Sequence, residues 1–527
     1  MPHTSTMTRG AVANSGRIRW TAGFAGIALA SVLGAATTSA NEPCRAFTPE
    51  VASDLAASPL PSSSGRWRAI ENLWAVEARS IEDDIENMLK SQSLSPAADL
   101  LQGRTQDLLR EAIEAGHDEL ADAILGPWMK PFSTLSRRSE ILVYYQTPHE
   151  RLSPAKLDGE HELWVGSDGI ENVLYTAIYL AGASDIIGAI ARRPPEKRTA
   201  AMTVFAERAA PVALDHYLRW IFGPPRIWQV QGWGCQASGL DLIQFVDQRL
   251  THSVDGAGPA YCSAPTSVDL LLAIGLADLL KAADVSPDLV SISKADYARL
   301  GLALDRLSTF IESRFVYDHT TDMNGQTIEI AAFDPGAWTA HPDMAFAADE
   351  SPDFPTSTVQ PRPGVGWDFS HGARIAWTLD TFLRTSNGRN IAPWDRALTA
   401  LAHQVAYRVL DDTAAVPRFR NYLDGSNGWY HVTLQGPDSG GIPPFGASRA
   451  FLSMPWAALA ARDARLEKAV STMWHAIAAP TSAQCAVLHQ AYEVDSYRSH
   501  SSSLAASPSR SLRNFDLFPF LSISPTR

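Results

Sequence analysis

The stretch Pro363-Gly-Val-Gly-Trp-Asp-Phe-Ser-His-Gly-Ala-Arg374 decides how the rest of the chain is interpreted. Apolar residues recur after it at helical spacing, at Ile375, Leu379 and Phe382. A glycine-rich turn followed by this spacing predicts a helix over 371–385. Asp368, His371 and Arg374 then lie at the helix start, where unpaired backbone N–H groups favour an anionic ligand. The same residues are also typical of a plain helix cap, so the segment alone leaves both interpretations open.

Helical patterns of this kind follow one another along the chain. Apolar spacing predicts helices over 66–90, 97–125 (broken at Gly103 and Gly116), 170–191, 197–222, 238–250, 266–284, 294–315, 371–385, 395–410, 447–461 and 465–478. Strand signals are few, over 141–145, 326–333 and 429–433. The segment over 317–368 is predicted to be mostly a long loop, and such loops tend to be functional.

An all-α dominated fold follows from these patterns. Helices that are apolar on one face must bury that face against each other, either as pairs in a ring or as a solenoid. No repeat of solenoid length is visible in the sequence, which favours the ring, an incomplete or closed (α/α)n toroid with a few short strands in its loops.

The first part of the chain indicates export. Arg17 and Arg19 precede an uncharged apolar run that ends near small residues, which is typical of a secretory signal peptide over 1–40. We expect a tether rich in Pro, Ser and Ala over 41–65, a catalytic domain over 66–490 and a Ser-rich tail over 491–527. The expected location is the periplasm or the medium, with no membrane anchor after signal cleavage.

Charge and cysteine content narrow the possible partners. The net charge of −13 makes nucleic acid a poor partner, and an acidic substrate would need locally placed Arg or His. Two disulfides are plausible in an oxidising compartment, and we favour Cys235 with Cys262 and Cys44 with Cys485, although three connectivities are possible. No Cys-x-x-Cys or His-x-x-x-His spacing is present, so no metal and no cofactor is expected.

Four polar segments stand out because a simple connection would not require them. They are Trp164-Val-Gly-Ser-Asp-Gly-Ile-Glu-Asn172, Trp228-Gln-Val-Gln-Gly-Trp-Gly-Cys-Gln236, the segment around His371, and Phe419-Arg-Asn-Tyr-Leu-Asp-Gly-Ser-Asn-Gly-Trp-Tyr-His431. The first three lie at or just before predicted helix starts. If helix pairs form a ring, alternate connections share one end, so these segments are expected to meet at one mouth.

At these segments the chain resembles the α/α-toroid carbohydrate-active enzymes. Trp367-Asp-Phe-Ser-His-Gly-Ala-Arg374 is similar to their Ser-His helix start with a following Arg. Asp424-Gly-Ser-Asn-Gly-Trp-Tyr430 and Pro443-Pro-Phe-Gly-Ala-Ser448 resemble their later Asp-Gly and aromatic-Gly-x-Ser segments. The segment ending at Asn172 resembles an Asn-His segment, but Val173 stands where the His is expected. The resemblance covers 160–460 in separate pieces.

Within that class the resemblance is nearest to lyases that cleave uronate polysaccharides such as alginate or glucuronan. It implies β-elimination, in which donors neutralise the C6 carboxylate while a base and an acid move protons. The implied catalytic residues are His371, Tyr430, Asn172 and Arg374. The implied substrate-binding residues are Trp233, Trp367, Asp368, Tyr422, Asp424, Asn427 and Glu171. The expected partner is an acidic polysaccharide or oligosaccharide.

Three alternatives stay open at this point. A glycoside hydrolase on the same fold would use two carboxylates. The sequence offers Asp168, Glu171, Asp368 and Asp424 for that purpose. A uronate epimerase would share the lyase's proton abstraction, and an exported polysaccharide-binding protein would need no proton transfer. If the chain around Tyr430 is extended, alternation would point His431 away from it.

Overall fold

Helices dominate the computed structural model of this chain. It describes residues 63–90, 94–135, 138–144, 155–163, 170–222, 240–251, 260–355, 359–386, 391–432, 441–453, 455–478 and 481–492. The predicted signal peptide and nearly all of the predicted tether and tail lie outside these residues.

The α-helices of the described residues are numbered in chain order. They are α1 (Ser63–Lys90), α2 (Ser95–Ala115), α3 (Asp118–Thr134), α4 (Val173–Arg192), α5 (Ala200–Phe222), α6 (Leu242–Thr251), α7 (Ser267–Val285), α8 (Lys294–Glu312), α9 (Phe369–Thr385), α10 (Ala392–Gln404), α11 (Ala450–Ser453), α12 (Ala464–Ala478) and α13 (Ser482–Ala491). A π-helical turn, Val405–Val409, continues α10. A 3₁₀ segment, Pro455–Arg462, links α11 to α12. The all-α dominated prediction is therefore confirmed.

Of the two breaks predicted within 97–125, the one at Gly116 is confirmed and the one at Gly103 is wrong, because α2 runs through Gly103. Gly116 ends α2 in the left-handed conformation, with φ of 81°. Helix α3 then continues through Pro127 and Pro131, beyond the predicted end. Trp128 and Phe132 are buried there, so packing holds the last turns together where proline weakens the helix. Helix α13 was not predicted.

Strands are short and lie in the connections. They are β1 (Arg138–Tyr144), β2 (Ala155–His161), β3 (Ile170–Asn172), β4 (Phe315–Thr321), β5 (Thr327–Phe333), β6 (Leu410–Asp411) and β7 (Arg418–Phe419). In the first sheet β1 lies between β2 and β3, antiparallel to β2 and parallel to β3. The pair β4–β5 is an antiparallel hairpin, of which only β5 was predicted.

Four helices run in the same direction. Helices α9 and α7 are parallel. Near their starts Arg374 of α9 donates to Ser267 of α7 at 2.7 Å, and in their second halves Arg384 of α9 lies 3.3 Å from Asp278 of α7. Helices α2 and α4 are parallel for the same reason, since the pair Arg110–Asp185 (3.7 Å) is followed along both helices by the pair Glu114–Arg192 (2.8 Å). Helix α2 is parallel to α9, because Arg110 lies 3.3 Å from Asp380 in the second halves of both helices and the charges of His371 and Arg374, near the start of α9, act on Asp99 near the start of α2. The N-terminal ends of α2, α4, α7 and α9 therefore lie on one side.

The helix that follows each of these four in the fold packs against it: α3 on α2, α5 on α4, α8 on α7 and α10 on α9. Helix α4 packs on both α2 and α7 and is the most apolar of the set. Among the described residues it alone is long and apolar enough to cross a membrane, but 89% of that stretch is buried inside the protein. Its composition is that of a core helix.

The C-terminal halves of the same four helices share a buried group of charges, which we call the ion cluster. Its members are Arg110, Asp185, Asp278, Asp380 and Arg384. Arg384 contacts the carboxylates of Asp185 at 3.0 Å and Asp278 at 3.3 Å. Burying these charges is tolerated because each is paired across helices.

Cys262 and Cys485 are both disulfide-bonded, and no cysteine among the described residues is free. The partners predicted for them, Cys235 and Cys44, lie outside the described residues. The predicted pairing therefore stays a prediction.

Candidate active site

The candidate site is built on the start of α9. Asp368, and not Ser370, caps this helix, because its carboxylate accepts the backbone N–H of His371 at 3.0 Å. The Ser370 hydroxyl donates to the same carboxylate. The backbone N–H of Phe369 donates to Asn421 at 2.7 Å, which joins the helix start to the loop that carries Tyr430.

The cap also holds the imidazole of His371. Nδ1 of His371 lies 3.0 Å from Oδ2 and 3.1 Å from Oδ1 of Asp368. A carboxylate only accepts hydrogen bonds, so we assign the hydrogen to Nδ1, which leaves the lone pair on Nε2. No hydrogen bond joins Nε2 to the described part of the chain, and the side chain is 38% exposed. His371 thus presents a basic nitrogen at the surface of the site.

Asp368 is ionised in this setting. Burial alone would raise its pKa, but the charge of His371 and the hydrogen bonds from His371 and Ser370 outweigh burial and hold the pKa well below its ordinary value. An ionised carboxylate behind the ring fixes the orientation of the imidazole and stabilises the imidazolium once the ring takes a proton.

Tyr430 lies beside this pair, with its hydroxyl 3.2 Å from Nδ1 of His371. The ring is only 2% exposed. Desolvation, together with the charges of Asp368 and Asp343, raises the pKa of Tyr430 well above its ordinary value. The phenol therefore stays protonated, which suits a hydrogen-bond donor or an acid and not a base.

His431 does not point away from Tyr430, contrary to what an extended chain would require. Its φ is 62°, and the backbone pairing of Tyr430 is an isolated bridge to Ile442, so no regular strand forms over 429–432. The His431 ring lies 3.9 Å from the Tyr430 ring and 6.1 Å from the His371 ring, centroid to centroid. Desolvation lowers the pKa of His431 to about 3, so it is a neutral packing partner.

The loop that precedes α9 supports this arrangement. The backbone N–H groups of Trp429 and His431 donate to Asp349 and Asp343, each at 3.2 Å. Gly428 is required at the contact, since a Cβ there would lie 2.2 Å from the carbonyl oxygen of Ala347. The predicted long loop thus packs against the segment that carries Tyr430 and holds that segment in place.

Arg374 lies one turn after His371 and is partly buried. Its guanidinium donates to Ser267 at the start of α7, at 2.7 Å. No carboxylate of the described residues lies within ion-pair distance of it, although most partly buried arginines of this chain have one. A positive charge held beside His371 in this way is available to an anionic group.

Asp99 on α2 belongs to the same site and was not predicted from the sequence. It is exposed, yet desolvation raises its pKa, and the charges of Arg374, Arg104 and His371 only partly offset that effect. A side chain that reaches solvent but is surrounded by protein lies in a cleft. In the sequence Asp99 looks like an ordinary acidic residue in the first turns of a helix, and no motif marks it.

Several residues predicted to bind substrate instead hold the site together. Trp367 is 3% exposed and packs on Trp338, with ring centroids 5.6 Å apart, so the structure does not present it as a sugar platform. Tyr422 is fully buried and donates to the carbonyl of Trp429 at 2.9 Å. Both corrections follow from packing that a short motif does not reveal.

Two further predicted residues are engaged in the turn before Tyr430. Asp424 accepts from Arg362 at 3.1 Å and from Ser426 at 2.8 Å. Asn427 is buried, and its side-chain oxygen accepts the backbone N–H of Phe445 at 2.8 Å. These bonds fix the loop conformation, so neither side chain is free for a sugar without breaking them.

The described part of the structure does not give side-chain positions for the remaining predicted residues. Trp233 and Asp168 lie outside the described residues. The backbone of Glu171 and Asn172 forms the end of β3 at the start of α4, but their side chains lie outside the description. No group of three or more His, Cys, Asp or Glu suited to a metal ion occurs in the part of the chain described.

The chain was compared with known protein families, with curated proteins and with solved structures, and none of the three comparisons finds a match. The functional assignment therefore depends on the geometry of the site.

Proposed function

We propose that the protein is an exported polysaccharide lyase that cleaves an acidic, uronate-containing polysaccharide by β-elimination. The observation that carries this proposal is the pairing of His371, oriented by Asp368, with Arg374, which has no carboxylate partner among the described residues. A base beside a fixed positive charge is what proton abstraction next to a carboxylate requires.

The packing supports an incomplete α/α toroid as the framework. Helices α2, α4, α7 and α9 would form the inner layer, and α3, α5, α8 and α10 the outer layer. Parallel inner helices place their N-terminal ends at one mouth, and both His371 and Arg374 lie at that end. The mouth would be the binding cleft for the sugar chain.

In the proposed reaction Arg374 binds the C6 carboxylate of the uronate, with Asn172 as a second donor. Neutralising this carboxylate stabilises the enolate-like charge that forms when the C5 proton leaves. Nε2 of His371 takes that proton, and Asp368 stabilises the resulting imidazolium. The electron pair of the C5–H bond forms a C4=C5 double bond, and the bond from C4 to the glycosidic oxygen breaks. Tyr430 lies on the buried side of the His371 ring and keeps Asp368 and His371 in position.

The hydrolase alternative is weaker on these contacts. Asp368 accepts hydrogen bonds from Ser370 and from the backbone and ring of His371, and Asp424 is tied to Arg362. Neither carboxylate is free to activate a water molecule. Of the four carboxylates the sequence offers for hydrolysis, the other two have side chains outside the description.

The test is to incubate the purified protein with a panel of uronate and neutral polysaccharides while following ultraviolet absorbance and reducing ends in parallel. A rise in absorbance on uronate substrates alone, from the conjugated unsaturated uronate, supports elimination. Reducing ends without that rise would contradict it and indicate hydrolysis. Absence of both signals, with substrate binding retained, would indicate an epimerase or a binding protein.

A further inference from the structure

The position of Asp99 in the fold can be derived from helix geometry. Helices α2 and α9 run parallel, and their contact between Arg110 and Asp380 (3.3 Å) sets their register. Asp99 lies eleven residues before Arg110, which is about 16 Å along the axis at 1.5 Å per residue. The position eleven residues before Asp380 is Phe369, the first residue of α9. Asp99 therefore lies at the level of the His371 turn.

The side of α2 that carries Asp99 is also determined. Positions 99, 103, 106 and 110 follow the spacing i, i+4, i+7 and i+11, which places them on one face of the helix. Gln106 donates to Asp185 of α4 at 2.7 Å, and Arg110 contacts α4 and α9. Asp99 thus lies on the face of α2 that is turned towards these two helices.

The described residues leave space on this face of α2. A Cβ at Gly103, one turn after Asp99, would meet none of their atoms within 4 Å. No hydrogen bond or ion pair joins Asp99 to the described residues, and the side chain is exposed. An unpartnered carboxyl group beside an open space, at the level of His371 and Arg374, is free to contact a ligand bound there.

Proton donation to the leaving group is the step of the elimination that the residues already described do not perform. Tyr430 is 2% exposed and lies behind His371, so its hydroxyl does not reach the cleft. Asp368 is ionised and already accepts several hydrogen bonds. Asp99 is the acidic group of the described residues that combines exposure, a position in the cleft and a raised pKa.

We propose that Asp99 is the general acid of this site, which protonates the glycosidic oxygen as it leaves C4. The proposal depends on the elimination proposed above. As Nε2 of His371 takes the C5 proton and the C4=C5 bond forms, the bond from C4 to oxygen breaks and the oxygen receives the Asp99 proton. Solvent then removes the proton from His371 and returns one to Asp99, which restores both groups.

The test compares Asp99→Asn with Asp305→Asn, an exposed aspartate of α8, on two uronate substrates. One substrate carries a sugar at C4. The other carries a 4-nitrophenyl ether at C4, whose 4-nitrophenolate departs without protonation. We expect Asp99→Asn to lower kcat about 10²-fold or more on the sugar substrate and less than about tenfold on the nitrophenyl ether. Asp305→Asn should leave both unchanged.

Equal losses of Asp99→Asn on the two substrates would overturn the assignment and indicate a positioning role, and no loss on either would also overturn it. Thermal midpoints of both variants show whether the proteins are folded, and Asp99→Ala should repeat the pattern if Asn disturbs the helix. Product formation by the unaltered protein reports separately on the elimination. If it forms unsaturated product and Asp99→Asn is fully active, only the Asp99 proposal fails.

Discussion

The two ends of the four parallel helices carry charges of opposite character. At the C-terminal end, Arg384 lies within 3.3 Å of both Asp185 and Asp278, and the carboxylates are fully buried. At the N-terminal end, the Nε2 atom of His371 and the carboxyl group of Asp99 have no partner among the described residues, and Arg374 has only a serine hydroxyl. The same helices thus hold charges that pair with each other at one end and polar groups that can still accept a ligand at the other.

This difference separates charges that stabilise the fold from charges that serve a ligand. Buried ions persist only when other charges pair with them, so the ion cluster should control stability. Polar groups left without a partner beside an open space lower the energy of a bound ligand instead, so the cleft residues should control turnover. Substitutions at the two ends are expected to have opposite consequences.

The largest effect is expected for His371→Ala. Loss of the base should lower the rate of unsaturated product formation by about 10² to 10⁴. The thermal midpoint should fall only modestly, because Asp368 loses the ring but keeps its hydrogen bonds from Ser370 and from the backbone N–H of residue 371. His475→Ala, at an exposed histidine of α12, is the matched control. Full activity of His371→Ala would show that His371 is not the base.

At the opposite end, Arg384→Ala should destabilise the protein by about 3–5 kcal/mol, because Asp278 would lose its ion-pair partner among the described residues and Asp185 would keep only Arg110. Denaturant unfolding measures this change. Arg306→Ala, which breaks an exposed pair with Asp247, should change the free energy of unfolding by less than about 0.5 kcal/mol. The folded fraction of Arg384→Ala should keep its turnover, and the division between the ends is wrong if stability is unchanged while turnover is lost.

A smaller effect is expected for Arg374→Ala in binding. Removing a charged donor to the substrate carboxylate should weaken the affinity for acidic oligosaccharides by about 1.5–3 kcal/mol, and that for neutral ones much less. Calorimetric titration with both kinds of ligand measures the difference. Arg374→Lys keeps the charge and should recover part of the affinity. Equal losses for the two ligands would indicate that Arg374 has only a structural role.

The smallest effect concerns the pH dependence of stability at the ion cluster. Desolvation raises the pKa of Asp278 to about 7 in the folded protein, while the ordinary value is 3.8. The folded state then binds more protons than the unfolded state between these values, so this group adds stability below pH 4 that is lost as the pH rises to about 7. His341 and His431 oppose this trend, because burial lowers their pKa to about 4 and about 3.

The contribution of Asp278 can therefore be isolated only as a difference between variant and unaltered protein. Asp278→Asn is always neutral, so its stability relative to the unaltered protein should rise between pH 5 and pH 7. Thermal midpoints of the two proteins at several pH values measure the difference. A difference that does not change with pH would show that Asp278 is ionised throughout.

Most of the helices could be predicted from the sequence, because apolar spacing and caps are local signals. Helix α7, for example, was predicted over 266–284 and spans Ser267–Val285. The strand predicted around Tyr430 was wrong, because long-range packing against the loop before α9 sets the backbone of His431 in the left-handed region. Local pattern does not contain that contact.

Part of the candidate site could be located from the sequence. The motif drew attention to the segment around His371, and in the structure the Tyr430 hydroxyl lies 3.2 Å from Nδ1 of His371. Asp99 was missed because it lies 272 residues away from His371 along the chain, in an ordinary helix start. Trp367 was expected to bind substrate and is buried instead, because an aromatic residue in a motif looks the same in the sequence whether it is buried or exposed.

The most direct test of the proposed dyad is nitrogen-15 NMR of the His371 side chain, assigned by comparison with His371→Gln. When the imidazole is neutral, the dyad predicts a protonated Nδ1 and an unprotonated Nε2. Addition of a uronate oligosaccharide should shift the Nε2 resonance more than the Nδ1 resonance. The opposite tautomer, with hydrogen on Nε2, would leave no base facing the cleft and would contradict the proposed elimination.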